Sequence, residues 1–142
     1  GRMMCDEHAI LSLSDAGAHL TFLCDAGFGL HVLGYWVRDK KLMSIERAVY
    51  KLTYESAILF GIQDRGKIVE GAWADLLLFD ASTVGRGATT RVYDLPAGAS
   101  RLTTPASGVH GVWFNGVRMA DTSCLIADAP LRGQVLRDFT SA

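Results

Sequence analysis

The spacing of apolar residues changes at Gly61, and this change constrains the fold more than any other feature of the sequence. Before Gly61, apolar residues recur at three- and four-residue intervals, which predicts helices over 28–38 and after Ser44. After Gly61, short apolar runs lie between glycines and polar turns, which predicts strands. The 142-residue chain is therefore expected to be mixed α+β, with its longer helices in the first half.

The helix ends carry recognisable signals. Ser44 is an expected N-cap, and Glu46 then lies in the first turn, where a negative charge favours the helix dipole. Thr53 is expected to cap a following short helix, and Gly61 is expected to end it, because glycine accepts the left-handed backbone found after helices.

Five runs are predicted strands, and Asn115-Gly116 predicts a two-residue hairpin turn between the last two. The stretch 82–104 is rich in Gly, Ser, Thr and Arg and is predicted to be mostly loop. A short helix is predicted near Leu131 to Phe139. The predicted strands are 9–13, 66–71, 74–80, 109–114 and 117–120.

Charge and cysteine content exclude several classes of protein. The net charge is −1, so no broad basic field favours nucleic acid or an anionic membrane, and neither is expected as a partner. No apolar run approaches the roughly 20 residues that span a bilayer. The three cysteines are far apart and odd in number, which argues against a disulfide framework. A reducing, cytoplasmic location is expected.

The chain is apolar for its size. Hydrophobic residues, counting Tyr but not Gly, make up 49%, and leaving out the 4 Tyr while adding the 15 Gly raises the share to about 57%, whereas about 45–50% is usual on that second count. Small domains have proportionally more surface and should be less apolar. A compact Ala-rich domain would explain the excess, but we favour surface that is covered by another chain, and we therefore expect a homo-oligomer.

Four segments, in this order, resemble the last part of an amidohydrolase of the D-aminoacylase group. Each segment alone is a weak signal, but together they span about residues 9–120. They read LSDAGAH at 13–19, AVYKLTYESAILFG at 48–61, GKIVEGAWADLLLFD at 66–80 and VWFNGV at 112–117.

The resemblance implies a (β/α)₈ barrel that carries a metal, with a small β-sandwich built from both chain ends. On that plan, 9–14 is the eighth barrel strand. Residues 1–62 are the terminal strand and helices of the barrel, 63–121 are part of the sandwich, and 122–142 are a C-terminal tail. The chain is thus expected to be an α/β barrel remnant plus a sandwich portion.

The resemblance also assigns roles to two residues. Asp15 follows the predicted barrel strand, at the strand end where barrel enzymes place their chemistry. The matching aspartate of the family ligates or approaches zinc and handles the proton of the attacking water, so Asp15 is the expected catalytic residue and metal ligand. From the residues alone, Asp15 could equally cap a turn. His19 is a candidate substrate-binding residue or an ordinary loop histidine.

The chain offers too few ligands for a complete site. A catalytic zinc needs about three protein ligands, and the His-x-His pair typical of the family is absent from the sequence. A barrel also takes about 250 residues. We therefore expect zinc in the intact parent enzyme, no zinc bound by this chain alone, and no activity of the isolated chain.

Three hypotheses for function remain. The parent hydrolyses a small linear amide, most consistent with an N-acyl-D-amino acid, or it is a cyclic amidohydrolase that acts on a hydantoin or dihydropyrimidine. Alternatively, the chain is a non-catalytic module that oligomerises through its apolar faces. Ala16 stands where better-known D-aminoacylases tend to have Gly, so the substrate preference follows from the group rather than from this residue.

Overall fold

The computed structural model describes residues 1–12, 14–122, 124–137 and 139. The helices form the first half of the chain, as predicted. None of the described helices is long and apolar enough to cross a bilayer. The helical segments are α1 (Arg2–Cys5), α2 (Phe28–His31), which continues as a π-helix (Val32–Asp39), α3 (Ile45–Leu52) and α4 (Tyr54–Leu59).

Two of the predicted helix signals are confirmed. The Ser44 hydroxyl accepts a hydrogen bond from the Arg47 amide at 3.2 Å and caps α3. Gly61 follows α4 with a left-handed φ of 65°. Its amide donates to Ile58 O and the next amide donates to Ala57 O, which is the Schellman arrangement that satisfies the last carbonyls. The side-chain cap predicted for Thr53 is wrong.

The Thr53 hydroxyl donates backward to Val49 O at 2.7 Å instead of accepting from α4. A hydroxyl within bonding distance of the carbonyl four residues earlier can satisfy itself on the preceding helix. This bond closes α3 and leaves the first amides of α4 without a side-chain acceptor from Thr53.

The second half of the chain contains one three-stranded antiparallel sheet and two short ladders. The strand order in the larger sheet is β1-β6-β7. Its hairpin turn is confirmed, since Asn115 and Gly116 have φ values of 47° and 77°. The strands are β1 (Leu76–Phe79), β2 (Gly85–Arg86), β3 (Thr90–Val92), β4 (Arg101–Thr103), β5 (Ala106–Ser107), β6 (Val109–Phe114) and β7 (Val117–Ala120), with β2 pairing β5 and β3 pairing β4.

Two predicted strands are wrong. Residues 66–71 form a loop, because Gly66 and Gly71 both have positive φ and the Trp73 amide closes the loop on Asp64 O at 2.9 Å. Residues 9–12 are in no strand, and Leu13 lies outside the described residues. No described strand runs beside 9–12, so this segment has no ladder partner for its backbone groups.

The stretch 82–104 lies mostly outside strands, as predicted, but it also contributes β2, β3, β4 and a short 3₁₀ turn at Pro96–Gly98. The helix predicted near Leu131 to Phe139 does not form over 131–137 or at 139, and residue 138 lies outside the described part of the chain. The β2–β5 and β3–β4 ladders pair residues that are not neighbours in the sequence, and local patterns do not reveal such pairs.

A small core joins the π-helix to α3 and to β2. Val32, Leu33, Ala48 and Val84 form its buried cluster. Gly34 allows the π-helix to approach the β2 backbone, because a Cβ there would lie 2.5 Å from Val84 O. The packing of the helices on the strand region therefore depends on a missing side chain at this position.

The close approach at Gly34 leads to a prediction. Gly34→Ala should destabilise the fold by about 1–3 kcal/mol, because the added methyl must displace backbone. Thermal or urea unfolding monitored by circular dichroism measures this loss. Gly29→Ala is the matched control, since its Cβ would meet only Leu52 Cδ2 at 4.0 Å. Equal stabilities of the two variants would contradict the account.

Candidate active-site segment

Asp15 lies in a turn and its side chain is exposed. The Ser14 hydroxyl accepts a hydrogen bond from the Ala16 amide at 3.3 Å, and Asp15 O accepts one from the Ala18 amide at 2.9 Å. The turn is thus held by Ser14 and by backbone, and the Asp15 carboxylate is not used for capping. This leaves the carboxylate available to an external group.

His19 lies four residues after Asp15 on the same turn-rich segment. Its φ is 49°, an uncommon left-handed value for a histidine. The imidazole stacks on the Phe22 ring with a centroid separation of 5.0 Å. Asp15 and His19 therefore share one segment. Among the contacts of the described residues, none joins their two side chains.

The chain before Asp15 is held by a buried lysine. Lys51, on α3, has no solvent exposure. Its ammonium group donates to Ala9 O at 2.6 Å and to Asp6 O at 3.1 Å. Glu55 lies 3.0 Å from the same nitrogen as an ion pair and also pairs with Arg47 at 3.2 Å. The segment 6–9 is thereby tied to the helical core.

The chain after Asp15 is held by the strand region. Arg91, on β3, donates to Thr21 O at 2.8 Å. The Leu102 amide donates to Leu20 O at 2.8 Å, and Arg86 donates to Cys24 O. Three backbone carbonyls within five residues are therefore bound by residues of β2, β3 and β4.

Cys24 lies among these contacts with a perturbed thiol. The Thr104 hydroxyl, 3.2 Å from Sγ, is the main cause that lowers the pKa of Cys24 below its ordinary value. Desolvation opposes this effect, and the positive charge of Arg86 adds to it. The Arg86 guanidinium also contacts the hydroxyls of Thr89 and Thr104 at 3.3 and 3.4 Å. The hydroxyl and the arginine thus stabilise the thiolate form of Cys24 relative to that of an ordinary cysteine, which is what the lowered pKa expresses.

The described residues do not assemble a metal site. No three His, Cys, Asp or Glu side chains within 1–12, 14–122, 124–137 and 139 are grouped so that they could hold an ion. Asp15 is exposed and His19 is engaged with Phe22. A zinc ion held by about three protein ligands does not fit this set.

A groove of about 590 Å³ lies elsewhere, between α2, α3 and β1. Asp15 and His19 are not among its lining residues. Its walls are mainly apolar, with polar groups such as Lys67 and Asp75 at its margin. The apolar side chains in its lining include Phe28, Leu33, Leu52, Ile68, Leu76 and Phe79.

Sequence patterns give no positioning role to Lys51, Arg86 or Arg91, although Lys51 lies in the family-like segment 48–61. A signal for Lys51 was present, because it lies three residues after Ala48 on the buried face and four residues before Glu55. Their carbonyl partners are distant in sequence: Lys51 lies 42 residues from Ala9, and Arg91 lies 70 residues from Thr21. Such contacts follow only from the fold.

Residues 13–120 match the sequence model of the amidohydrolase family. This match covers well over half of the chain, and the chain belongs to the amidohydrolase family.

Among its relatives, the chain is most usefully compared with deacylases of N-acyl-D-amino acids. It is 44% identical over 85 residues to the N-acyl-D-glutamate deacylase of Alcaligenes xylosoxydans xylosoxydans, covering 60% of this chain and 16% of that protein. It is 37% identical over 106 residues to the N-acyl-D-aspartate deacylase of the same organism, covering 75% and 19%.

Solved structures give the same assignment. A D-aminoacylase crystal structure matches with a TM-score of 0.58 and 32% identity over 72% of this chain and 20% of that one. The N-acyl-D-glutamate deacylase from Bordetella bronchiseptica, complexed with zinc and a phosphonate inhibitor, matches with a TM-score of 0.53 and 38% identity over 68% and 19%. The chain spans about one fifth of the length of these relatives. It is a D-aminoacylase-like amidohydrolase segment.

Zinc binding can be tested on the chain by itself. We expect no stoichiometric, tight zinc binding by isothermal titration calorimetry, because the described residues do not group three ligands. Asp15→Asn should leave the calorimetric trace unchanged. Saturable binding of one zinc per chain that disappears in Asp15→Asn would contradict the incomplete-site account.

Proposed function

We propose that this chain is the C-terminal portion of a metal-dependent amidohydrolase that hydrolyses the linear amide of an N-acyl-D-amino acid. The observation that carries the proposal is the exposed Asp15 carboxylate on a turn inside the matched segment 13–120. The relatives named above, which act on N-acyl-D-glutamate and N-acyl-D-aspartate, support a linear substrate over the cyclic alternative.

In this proposal, Asp15 moves a proton. Amide hydrolysis adds water to the carbonyl carbon, breaks the C–N bond and delivers a proton to the leaving amine. A carboxylate within reach can accept the proton from the water and pass it to that nitrogen. Asp15 suits this role because its side chain is exposed and the turn is held by Ser14.

Zinc belongs to the intact parent in this proposal. A binuclear metal centre is described for D-aminoacylase, and the Bordetella deacylase is complexed with zinc. Because the described residues do not form a zinc site, further ligands would come from other parts of the parent. We propose that the isolated chain is inactive.

The proposal also divides the chain as the resemblance implies. Residues 1–62 are proposed to be the terminal strand and helices of a barrel, 63–121 part of a β-sandwich, and 122–142 a tail. The helices of 1–62 and the sheets of 63–121 support this division. Segment 9–12 would become a strand only when neighbouring barrel strands pair with it.

The enzymatic proposal is tested in the intact enzyme made from the complete reading frame. With N-acetyl-D-glutamate as substrate, Asp15→Asn should lower kcat by about 10²–10⁴-fold, the range for loss of a general acid–base group. Amine release measures the rate. Asp128→Asn, which alters another exposed aspartate, is the control.

Three outcomes would contradict the enzymatic proposal. These are full activity of Asp15→Asn, a preference for hydantoin over N-acetyl-D-glutamate, and turnover by the isolated 142-residue chain that Asp15→Ala removes.

A specific observation favours a second candidate, a non-catalytic module that oligomerises. Ile68 is 89% exposed, and Leu77 and Leu78 on β1 are about half exposed. Ile68 and Leu77 line the groove, which is therefore an exposed apolar surface. Such a surface invites association with another chain, and we propose that the isolated chain is a homo-oligomer through it.

Static light scattering tests the oligomer. Ile68→Lys should shift the isolated chain toward monomer, because a charge would be buried in the contact. Leu131→Lys is the control, since Leu131 is 91% exposed and distant in sequence from this surface. A monomeric unmodified chain, or equal association of both variants, would argue against this surface as the contact.

A further inference from the structure

The segment that carries Asp15 has no helix or strand of its own over the described residues 9–12 and 14–20. Within this chain, its position therefore comes from its two ends, and in the intact parent the barrel strands proposed to pair with 9–12 would add to them. Both ends are bound through backbone carbonyls, by Lys51 before Asp15 and by Arg91 and Arg86 after it.

The first anchor depends on a fully buried charge. An ammonium group without solvent is costly unless it is paired and hydrogen-bonded. Lys51 obtains its partners from Asp6 O, Ala9 O and Glu55. Because two of these partners are carbonyls of the incoming chain, Lys51 stays satisfied only while residues 6–9 stay in place.

The second anchor uses the two ends of a guanidinium group. One nitrogen of Arg91 donates to Thr21 O at 2.8 Å, while another donates to Ser100 Oγ at 3.0 Å. Contacts through two nitrogens fix the planar group in one orientation. Arg86 reaches Cys24 O and the hydroxyls of Thr89 and Thr104 through a single guanidinium nitrogen, so its orientation is less constrained than that of Arg91.

We infer that Lys51, Arg86 and Arg91 are positioning residues that set the location of the Asp15 carboxylate by binding the carbonyls on both sides of its segment. The role of Asp15 in this inference rests on the proposed function. A group that transfers a proton must be held near its reaction geometry. Because the Asp15 side chain is exposed, the position of its carboxylate depends on the backbone that these cations bind.

Three amides of the isolated chain report on the segment directly. Ala18 N donates to Asp15 O, and Phe22 N and Leu23 N both donate to His19 O. In Arg91→Met, exchange of these amides measured by NMR should be about tenfold faster, the factor expected for loss of a hydrogen bond from a charged donor. Arg91→Lys should restore slow exchange, because an ammonium group can still donate to Thr21 O.

A control variant and a variant of the first anchor test the same three amides. Arg132→Met removes an exposed arginine outside these contacts and should leave the three amides unchanged. Lys51→Met should also speed the exchange of these amides. Because this substitution alters the core, the variant could fail to fold, and in that case Arg91→Met on the exposed strand decides whether the cations hold the segment. Equal exchange of these amides in Arg91→Met and Arg132→Met would overturn the inference.

The consequence for catalysis is tested in the intact enzyme with N-acetyl-D-glutamate. Arg91→Met should lower kcat by about tenfold with little change in KM, and Arg91→Lys should recover the rate. Faster exchange with an unchanged kcat would overturn the positioning of Asp15. If Asp15→Asn itself kept full kcat, the proposed function would fail, while the exchange result would still decide whether these cations hold the segment.

Discussion

The burial of Lys51 is the interaction on which the first half of the structure depends. Removing one partner of a buried, paired charge typically costs about 3–5 kcal/mol, and the partners of Lys51 come from α4 and from the chain before Asp15. The hydrophobic core beside it is small, with Val32, Leu33 and Val84 at its centre. A satisfied ammonium group therefore joins segments that apolar contact alone would hold weakly.

The remaining surface is what a segment of a larger enzyme would present. Ile68, Leu77 and Leu78 are exposed, and the first two line an apolar groove of about 590 Å³. The relatives in the amidohydrolase family are about five to six times as long as the matched part. The proposed catalytic carboxylate and the exposed apolar face have one common explanation, since both would be completed by other parts of a parent enzyme.

The sequence predicts features that depend on local chemistry. The Ser44 cap, the helix end at Gly61 and the Asn115-Gly116 turn are confirmed, because each depends on the backbone preferences and hydrogen bonds of neighbouring residues. The strand predicted for 66–71 is wrong, because an apolar run forms a strand only where a partner strand is beside it. The same limit hides the bond between Arg91 and Thr21, 70 residues apart. A motif indicates a role for Asp15, whereas no sequence pattern indicates that Lys51, Arg86 or Arg91 holds its segment.

The central claim is that Asp15 belongs to a metal pocket whose other walls lie outside this chain. The most direct measurement is a crystal structure of the intact enzyme with zinc, with the metal located by anomalous scattering at the zinc edge. The account predicts that the Asp15 carboxylate coordinates zinc or lies one water molecule from it, with the other ligands outside residues 1–142. An Asp15 side chain that faces bulk solvent, remote from every zinc ion, would contradict the account.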